Sequence, residues 1–103
     1  MHVYKQVFIS GRVQGVFFRE STRQKANELS LAGGVRNLSD GRVEVQVTGE
    51  ETVIQCLINW LKIGPKYAKV STIEVIDLPV ETYQSALQTL SSDRFEVWAT
   101  KDI

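Results

Sequence analysis

Apolar and polar residues alternate in two segments with the period of two that is typical of half-buried β-strands. These segments are residues 3–13 and residues 42–48. One face of each is apolar: Val7, Ile9 and Val13 in the first, and Val43, Val45 and Val47 in the second. Weaker patterns predict further strands at 35–38, 70–78 and 95–99. Strand 70–78 ends at Pro79, and Phe95 and Val97 are expected to face inward in the last strand.

Helical spacing of apolar residues predicts two helices between these strands. The first runs from Arg19 to Ser30, and Gly33 and Gly34 are expected to end it. The second follows residue 48, where Thr48 and Glu51 have the spacing of a capping box, and it ends at Gly64–Pro65. Its apolar stripe consists of Ile54, Leu57, Ile58 and Leu61. Residues 80–91 are ambiguous, since their helical spacing lies in a short and polar segment.

The resulting order is β-α-β-β-α-β plus a terminal strand. This order predicts an α+β fold, the ferredoxin-like split βαβ sandwich, with an antiparallel sheet and two helices on one face. A chain of 103 residues is long enough for one core and too short for two. We therefore expect a single domain over residues 1–103.

Composition narrows the possible partners. Twelve basic and twelve acidic residues give no net charge, whereas proteins that bind nucleic acid or membrane surfaces usually carry a basic excess. We expect Cys56, the single cysteine, to be a buried thiol. Together with one histidine, His2, it cannot form a Cys/His metal site, so no metal or cofactor is predicted. The sequence shows no signal-peptide pattern and no run long enough to span a bilayer, which predicts a cytoplasmic protein.

The junction between the first strand and the first helix carries the candidate chemistry. Val7 to Arg19 reads VFISGRVQGVFFR, with glycines at 11 and 15. Loop amides, a helix N-terminus and a guanidinium all bind phosphate well. Arg19 is also placed unfavourably, because the helix dipole is positive in the first turn, and a bound anion would correct this mismatch. Since no Lys-Ser/Thr follows the second glycine, the loop is not a Walker A motif.

Asn37, at the end of the second predicted strand, has two interpretations. It is either a residue that satisfies the backbone of the following turn or a neutral amide that orients a water molecule. The second interpretation requires its strand to end on the same side of the sheet as the loop. Nucleophile sets and metal-binding carboxylate clusters are missing from this region. Such a pocket would suffice for an activated phosphate, such as a mixed anhydride whose leaving carboxylate is a weak base.

These residues resemble a known family. Gly11 to Arg19, GRVQGVFFR, is similar to the first acylphosphatase motif. The second motif is resembled by Val35–Asn37 and by Asp40–Glu44, ending at Gly49. Gly64–Pro65, with Ala68 and Val70, is similar to the small bacterial members. The resemblance covers about residues 5–78.

The resemblance implies a ferredoxin-like fold and the metal-independent hydrolysis of acyl phosphates to carboxylate and phosphate. It implies that Arg19 binds the phosphoryl group, that Asn37 positions the attacking water and that the proton passes to the substrate phosphate. The loop amides that would surround the phosphate belong to Gln14, Gly15, Val16, Phe17, Phe18 and Arg19. The expected partners are a small acyl phosphate and inorganic phosphate as product and inhibitor, and the protein is expected to be a monomer.

The sequence differs from the family pattern at two places, and two alternative functions remain open. Gly34 stands where the family usually has an aromatic residue, which concerns the stability of the second strand and the placement of Asn37. The segment 80–103 is longer than expected and has no assigned role. The rivals are an RNA-binding module, which would need exposed aromatics on the central strands, and a catalytically weak, phosphate-binding regulatory domain.

Overall fold

The computed structural model describes residues 1–83 and 94–103. The strands are β1 (His2–Arg12), β2 (Ala32–Asn37), β3 (Val43–Glu50), β4 (Lys69–Leu78) and β5 (Phe95–Val97). The helices are α1 (Phe18–Glu28) and α2 (Glu51–Leu61), and residues 80–83 are also helical.

The five strands form one sheet in the order β4-β1-β3-β2-β5. The first four strands pair antiparallel, as the split βαβ order predicts. β5 adds a parallel edge beside β2, so the complete sheet is mixed. This arrangement confirms the predicted α+β sandwich.

The core lies between the sheet and the two helices. Alternation along the strands places all the fully buried valines of β3 on one face, and α1 and α2 cover that face with their own apolar stripes. The largest members of the core are Phe18, Phe95, Ile9, Ile54, Leu57 and Leu61. Each such side chain contributes about 1.5–3 kcal/mol on burial, and these contacts stabilise the two strands that lead to the site.

The end of α1 and the start of β2 differ from the sequence prediction. Ser30 adopts a left-handed backbone with φ 57°, and the amide of Leu31 donates to the carbonyl of Ala26 at 2.9 Å. This is a Schellman ending that uses serine where glycine is usual. Gly33 and Gly34, predicted to stop the helix, instead pair with Val47 and Gln46 of β3. β2 is therefore longer than predicted and begins at Ala32.

Two predictions around α2 are wrong. The Thr48 hydroxyl donates to the carbonyl of Val3 at 2.8 Å, so no capping box forms, and Glu50 is the N-cap without a side-chain bond. Cys56 is exposed. It lies two positions after Ile54, and a rotation of about 200° carries it to the opposite side of the helix from the apolar stripe.

Tyr83, which follows β4, covers part of the second face of the sheet. Tyr83 packs edge-on against Tyr4 with 5.0 Å between the ring centroids, on the face opposite α1 and α2. Of the ambiguous segment 80–91, residues 84–91 lie outside the described residues. None of the described helices is long and apolar enough to cross a membrane.

Candidate active site

The loop between β1 and α1 combines two left-handed residues within three positions. Gly15 has φ 72° and Phe17 has φ 61°. Glycine adopts this conformation at little cost, whereas for phenylalanine it costs about 1–2 kcal/mol. Strained backbone of this kind is found where the surroundings hold it in place, often at functional sites. The loop therefore turns sharply just before the first residue of α1.

This turn leaves a row of backbone amides without acceptors. The first backbone bond of α1 runs from the amide of Ser21 to the carbonyl of Phe17, at 3.0 Å. Among the described residues, the amides of residues 14–20 donate to no carbonyl or side chain. Amides at a helix N-terminus bind anions through their hydrogens and through the helix dipole. The loop therefore presents amide donors of the kind that bind anions, at the place where the sequence predicts a phosphate site.

Arg19 lies in the first turn of α1, half-buried, beside these amides. Within the described part of the chain, its guanidinium forms no hydrogen bond or ion pair. The nearest carboxylate in sequence, Glu20, is bonded instead by Arg23, whose Nε donates to it at 2.8 Å. These hydrogen bonds from Arg23 lower the pKa of Glu20. Arg19 therefore keeps its donors available, whereas Arg12, at the end of β1, is exposed to solvent.

A pocket of about 430 Å³ opens beside Arg19. The described residues that line it are Val13, Gly15, Phe17, Phe18, Arg19, Glu20 and Val97. Four of the six predicted phosphate-binding residues are in this set. Gln14 and Val16 are not, and Val16 is buried in the core, so only their amides are available to a ligand. Val97, expected to face inward, is 40% exposed at the sheet edge and forms one wall.

The sheet register places Asn37 at the end of the strands where the β1–α1 loop lies. Both Ile9 of β1 and Asn37 of β2 pair with Val43 of β3. Paired residues share a face, so Asn37 lies on the helix side. Neighbouring strands are about 4.8 Å apart, which places Asn37 about 10 Å from Ile9. β1 and β2 run in the same direction, and β2 therefore ends on the loop side of the sheet.

The Asn37 side chain carries an unsatisfied acceptor. Its Oδ1 is buried and has no hydrogen-bond partner among the described residues. Leaving such an atom unpaired costs about 1–3 kcal/mol, and most buried polar atoms are paired. Asn37 is not among the residues that line the pocket beside Arg19.

The Gln14 side chain fastens the loop to the β2–β3 turn. Its Nε2 donates to the carbonyl of Leu38 at 2.9 Å and to that of Arg42 at 2.8 Å. The sequence assigns Gln14 a phosphate-binding amide and gives no indication of this second contact, which joins residues 24 positions apart. The bracing fixes the loop relative to the strand end that carries Asn37. Asp40 stabilises the same turn, since its Oδ1 accepts a hydrogen bond from the amide of Arg42 at 3.1 Å.

The C-terminal tail holds the other side of β2. The amide of Lys101 donates to the carbonyl of Asn37 at 2.9 Å, and the carbonyl of Lys101 accepts from Ser39 at 3.0 Å. The amide of Trp98 donates to the carbonyl of Val35 at 2.8 Å. The backbone of Asn37 is therefore fixed between β3 and the tail. This gives part of the segment 80–103 a structural role that the sequence did not reveal.

Trp98 also occupies the space beside Gly34. A Cβ placed on Gly34 would lie 2.0 Å from a ring atom of Trp98, so no larger residue fits while the ring is there. The Arg36 guanidinium lies 5.4 Å from the centre of the same ring, within the range of a cation–π contact. The aromatic residue that the resemblance expects at position 34 is thus replaced by one from the tail.

An ion pair next to Asn37 joins β2 to β3. Arg36 Nε donates to Glu44 Oε1 at 2.7 Å, and the Glu44 side chain is almost fully buried. Burial raises the pKa of Glu44, but hydrogen bonds from Arg36, Gln46 and Gln6 outweigh it and lower the pKa below its ordinary value. The carboxylate is therefore charged at neutral pH and ties β2 to β3. In residues 1–83 and 94–103, no three His, Cys, Asp or Glu side chains are grouped to hold a metal ion.

The chain resembles known proteins in sequence and in structure. The acylphosphatase family model matches residues 5–89. An acylphosphatase of Pseudomonas paraeruginosa is 53% identical over 74 residues, which are 72% of this chain and 81% of that protein. The structure of an acylphosphatase from Coxiella burnetii superimposes with a TM-score of 0.81 at 42% identity, covering 94% of this chain and 93% of that one.

A larger protein contains the same fold. The structure of T. kodakarensis HypF superimposes with a TM-score of 0.75 at 30% identity, covering all of this chain and 12% of HypF. The family model spans most of the chain, and the relatives named acylphosphatase are identical at about half of the aligned positions. The chain belongs to the acylphosphatase family.

Proposed function

We propose that this protein hydrolyses acyl phosphates to a carboxylate and inorganic phosphate, without a metal and without a covalent intermediate. The observation that carries the proposal is that Arg19 and the loop amides of residues 14–20 lie at one helix N-terminus, and none of these donors has a partner among the described residues. This arrangement has the donors that a phosphoryl dianion requires. Membership of the acylphosphatase family supports the choice of reaction.

In this proposal the phosphoryl group binds at the N-terminus of α1. Arg19 presents a planar fork of donors to two phosphoryl oxygens, and the amides of Gln14 to Arg19 donate to the same oxygens. The left-handed turn at Gly15 and Phe17 directs the amides to one point. Phosphoryl transfer depends mainly on positioning and charge stabilisation, and these donors supply both.

Asn37 positions the nucleophile. Its Oδ1, which has no partner among residues 1–83 and 94–103, accepts a hydrogen bond from a water molecule. This water attacks phosphorus in line with the bond to the acyl oxygen. The new P–O bond forms as the bond to the acyl oxygen breaks, and the electron pair leaves with the carboxylate. The proton of the water passes to a phosphoryl oxygen, so no protein base is required. The carboxylate is a weak base and needs no proton to leave.

A continuous assay with benzoyl phosphate and excess chelator tests the proposal. We expect the wild-type protein to turn over in the chelator, Arg19→Ala to lose at least 1000-fold in kcat/KM because the phosphoryl clamp is gone, and phosphate inhibition to disappear with it. Arg12→Ala is the matched control, since Arg12 is exposed and outside the pocket. Normal turnover by Arg19→Ala would rule out this mechanism.

A second candidate is a phosphate-binding domain with little turnover. It is favoured by the match to 12% of HypF, where the fold is one part of a larger protein. Calorimetry with inorganic phosphate separates the two functions: binding without hydrolysis of benzoyl phosphate would favour the second.

We also propose that residues 1–103 act as one domain, as a cytoplasmic monomer, with inorganic phosphate as product and inhibitor. RNA binding on the sheet is disfavoured because the open face carries Glu44 and Gln46, and Tyr83 covers part of it. Gel filtration and an RNA shift assay at physiological salt test the monomer and the absence of RNA binding.

A further inference from the structure

The charges of the chain are unevenly distributed, although they sum to zero. Residues 52–73 contain Lys62, Lys66 and Lys69 and no aspartate or glutamate. These lysines lie in or beside the loop between α2 and β4, and all of them are exposed. Arg12 is also exposed and pairs with Lys69 across β1 and β4. Four cations are therefore gathered at one end of the edge strand β4.

These cations form no ion pair within residues 1–83 and 94–103. Nearby carboxylates bond to other partners: Asp77, at the far end of β4, accepts from Lys5 at 2.8 Å. Like charges that lie close together repel each other, and salt screens this repulsion only in part. A cluster of this kind is stabilised when an anionic surface covers it.

Two large apolar side chains lie among the lysines. Ile63 is 75% exposed and Tyr67 is 66% exposed. The Lys66 ammonium lies 5.5 Å from the centre of the Tyr67 ring, so charge and apolar surface are adjacent. Single exposed apolar residues are ordinary on a protein surface. Here two of them occur in one short loop, and each directly follows a lysine.

The backbone of this loop is held in place. The amides of Ile63 and Gly64 both donate to the carbonyl of Trp60, at 3.0 and 2.8 Å. Gly64 is left-handed with φ 74°, and a Cβ there would lie 2.9 Å from an atom of the Phe18 ring, so the loop lies close against the start of α1. Because the backbone is fixed while Ile63 and Tyr67 remain in solvent, these two side chains do not serve the core.

We propose that this surface docks reversibly on a bilayer that contains anionic phospholipids. We call it the α2–β4 patch, and its exposed members are Arg12, Lys62, Ile63, Lys66, Tyr67 and Lys69. Lysines near a membrane surface are attracted by anionic headgroups, and exposed aliphatic residues enter the boundary between headgroups and acyl chains. Tyrosine, with an apolar ring and a polar hydroxyl, suits the same depth. The inference goes beyond the proposed function, because docking does not depend on hydrolysis.

The residue types favour a bilayer over a nucleic acid. Nucleic acids are bound largely through arginine, which offers paired donors to phosphates and bases, and through aromatic rings that stack on bases. Apart from Arg12, the cations of the patch are lysines, which act as point charges, and Ile63 cannot stack on a base. A fluid array of anionic headgroups above an apolar layer matches separate lysines with an aliphatic side chain between them.

Co-sedimentation of the protein with lipid vesicles tests the proposal. We expect binding to vesicles of mixed phosphatidylglycerol and phosphatidylcholine and much weaker binding to phosphatidylcholine alone. Binding should be lost as NaCl is raised from about 0.05 M to about 1 M, because salt screens the attraction between lysines and headgroups. Equal binding to both kinds of vesicle, or no binding to the anionic ones, would overturn the proposal.

Charge reversal locates the docking surface. Lys66→Glu should lower the partition coefficient on anionic vesicles about 30-fold, because it changes the charge by two units and each unit contributes about fivefold. Lys101→Glu is the matched control, since Lys101 is exposed in the C-terminal tail, outside the patch, and forms no ion pair among the described residues. Its effect should stay below about threefold. Equal losses in the two variants would overturn the assignment to the patch.

The apolar contribution has a matched pair of its own. Ile63→Ser should lower vesicle binding about tenfold through the lost apolar surface, whereas Ile103→Ser, at a position that is 60% exposed in the tail, should leave it unchanged. Far-UV circular dichroism of every variant confirms that the fold is kept. Full binding by both Ile63→Ser and Lys66→Glu would overturn the proposal.

Two soluble polyanions test the other classes of partner. A labelled RNA oligomer and polyglutamate are measured in the same buffer, and we expect neither to bind at physiological salt. If either binds in a manner that depends on Lys66 while anionic vesicles do not, the bilayer is overturned and the patch is assigned to that partner.

Discussion

Arg19 and Asn37 are the two residues to which the sequence analysis assigns a chemical role, and each has a polar group without a partner among the described residues. Arg19 lies in the first turn of α1, and Asn37 lies at the end of β2. The Arg19 guanidinium is half-buried without a bond, and the Asn37 Oδ1 is buried without a donor. Each would be stabilised by an ordinary structural partner, such as a carboxylate or a backbone amide. The Arg19 donors could therefore bind a phosphate, and the Asn37 Oδ1 could accept a hydrogen bond from a water molecule.

Asn37→Ala should separate turnover from phosphate binding. We expect kcat to fall about 100-fold, because the variant loses the acceptor that orients the water. The dissociation constant of inorganic phosphate should change less than twofold, since Arg19 and the amides remain. Steady-state kinetics with benzoyl phosphate and calorimetry with phosphate measure the two effects.

Asn59→Ala is the matched control for this variant, because Asn59 is an exposed asparagine on α2. A parallel loss of phosphate affinity and kcat in Asn37→Ala would contradict the assignment of Asn37 to the water.

The side-chain contact of Gln14 could not be predicted from the sequence. Its amide belongs to a motif of nine consecutive positions, and a local motif predicts a local loop. Its side chain, however, contacts two carbonyls of the β2–β3 turn. Such a contact depends on the sheet register, which the local sequence of residue 14 does not specify.

At the scale of elements, β2 is the strand whose surroundings decide the position of Asn37. β3 pairs with it on one side, and β5 and the tail pair with it on the other. Trp98 lies over Gly34, and Arg36 is joined to Glu44. The strand is thus held by contacts on both edges and on the open face, which compensates for its two consecutive glycines.

Exchange of the aromatic residue between positions 34 and 98 should reveal their coupling. Gly34→Tyr alone should destabilise the fold by about 2 kcal/mol, because its Cβ would overlap the ring of Trp98. Trp98→Ala alone should cost about 2–4 kcal/mol through lost packing. The double variant should be more stable than the sum of the single effects by at least about 1 kcal/mol. Urea unfolding measures all three, and additive losses would show that the two positions are independent.

Glu44→Gln should weaken the attachment of β2 to β3 in a manner that depends on pH. At pH 7 we expect a loss of about 2–3 kcal/mol, because Arg36 keeps a partly buried charge without its partner. The folded pKa of Glu44 is below its ordinary value of 4.5. The carboxylate therefore stabilises the fold fully above that value, and its contribution is lost as the pH falls through the lowered pKa.

Urea unfolding of both proteins between pH 7 and pH 3 measures this dependence. The difference between wild type and Glu44→Gln should be constant down to about pH 5 and should narrow below it. A difference that stays the same across the whole range would contradict a charged Glu44 as the cause.

At the scale of the whole molecule, the sequence predicts the layers well because strong local patterns determine them. Alternating valines identify β3, and the stripe of Ile54, Leu57, Ile58 and Leu61 orients α2. The order of elements then predicts the split βαβ sheet, in which β1 and β2 run in the same direction and end on the same side. Because Arg19 follows β1 and Asn37 ends β2, this topology places both residues on that side of the sheet.

The sequence predicts the terminal strand at 95–99, but it does not predict the strand with which β5 pairs. β5 has three residues and pairs parallel with β2, 62 positions earlier if Phe95 and its partner Gly33 are counted (95 − 33). The contact of Trp98 with Gly34 spans a similar separation. Contacts between residues so far apart in sequence leave no periodic pattern in the local sequence. They form because β2 would otherwise be an edge strand whose backbone groups can pair with β5. The exposure of Cys56 was missed for a simpler reason, since the prediction followed residue type rather than helical position.

A crystal structure with bound inorganic phosphate tests the central claim most directly. We expect one phosphate at the N-terminus of α1, with its oxygens about 2.7–3.1 Å from the Arg19 guanidinium and from several amides of residues 14–19. We also expect a water molecule between the Asn37 Oδ1 and the phosphorus atom. Phosphate bound elsewhere on the protein, or bound at this loop with Asn37 too far away for one water molecule to connect them, would contradict it.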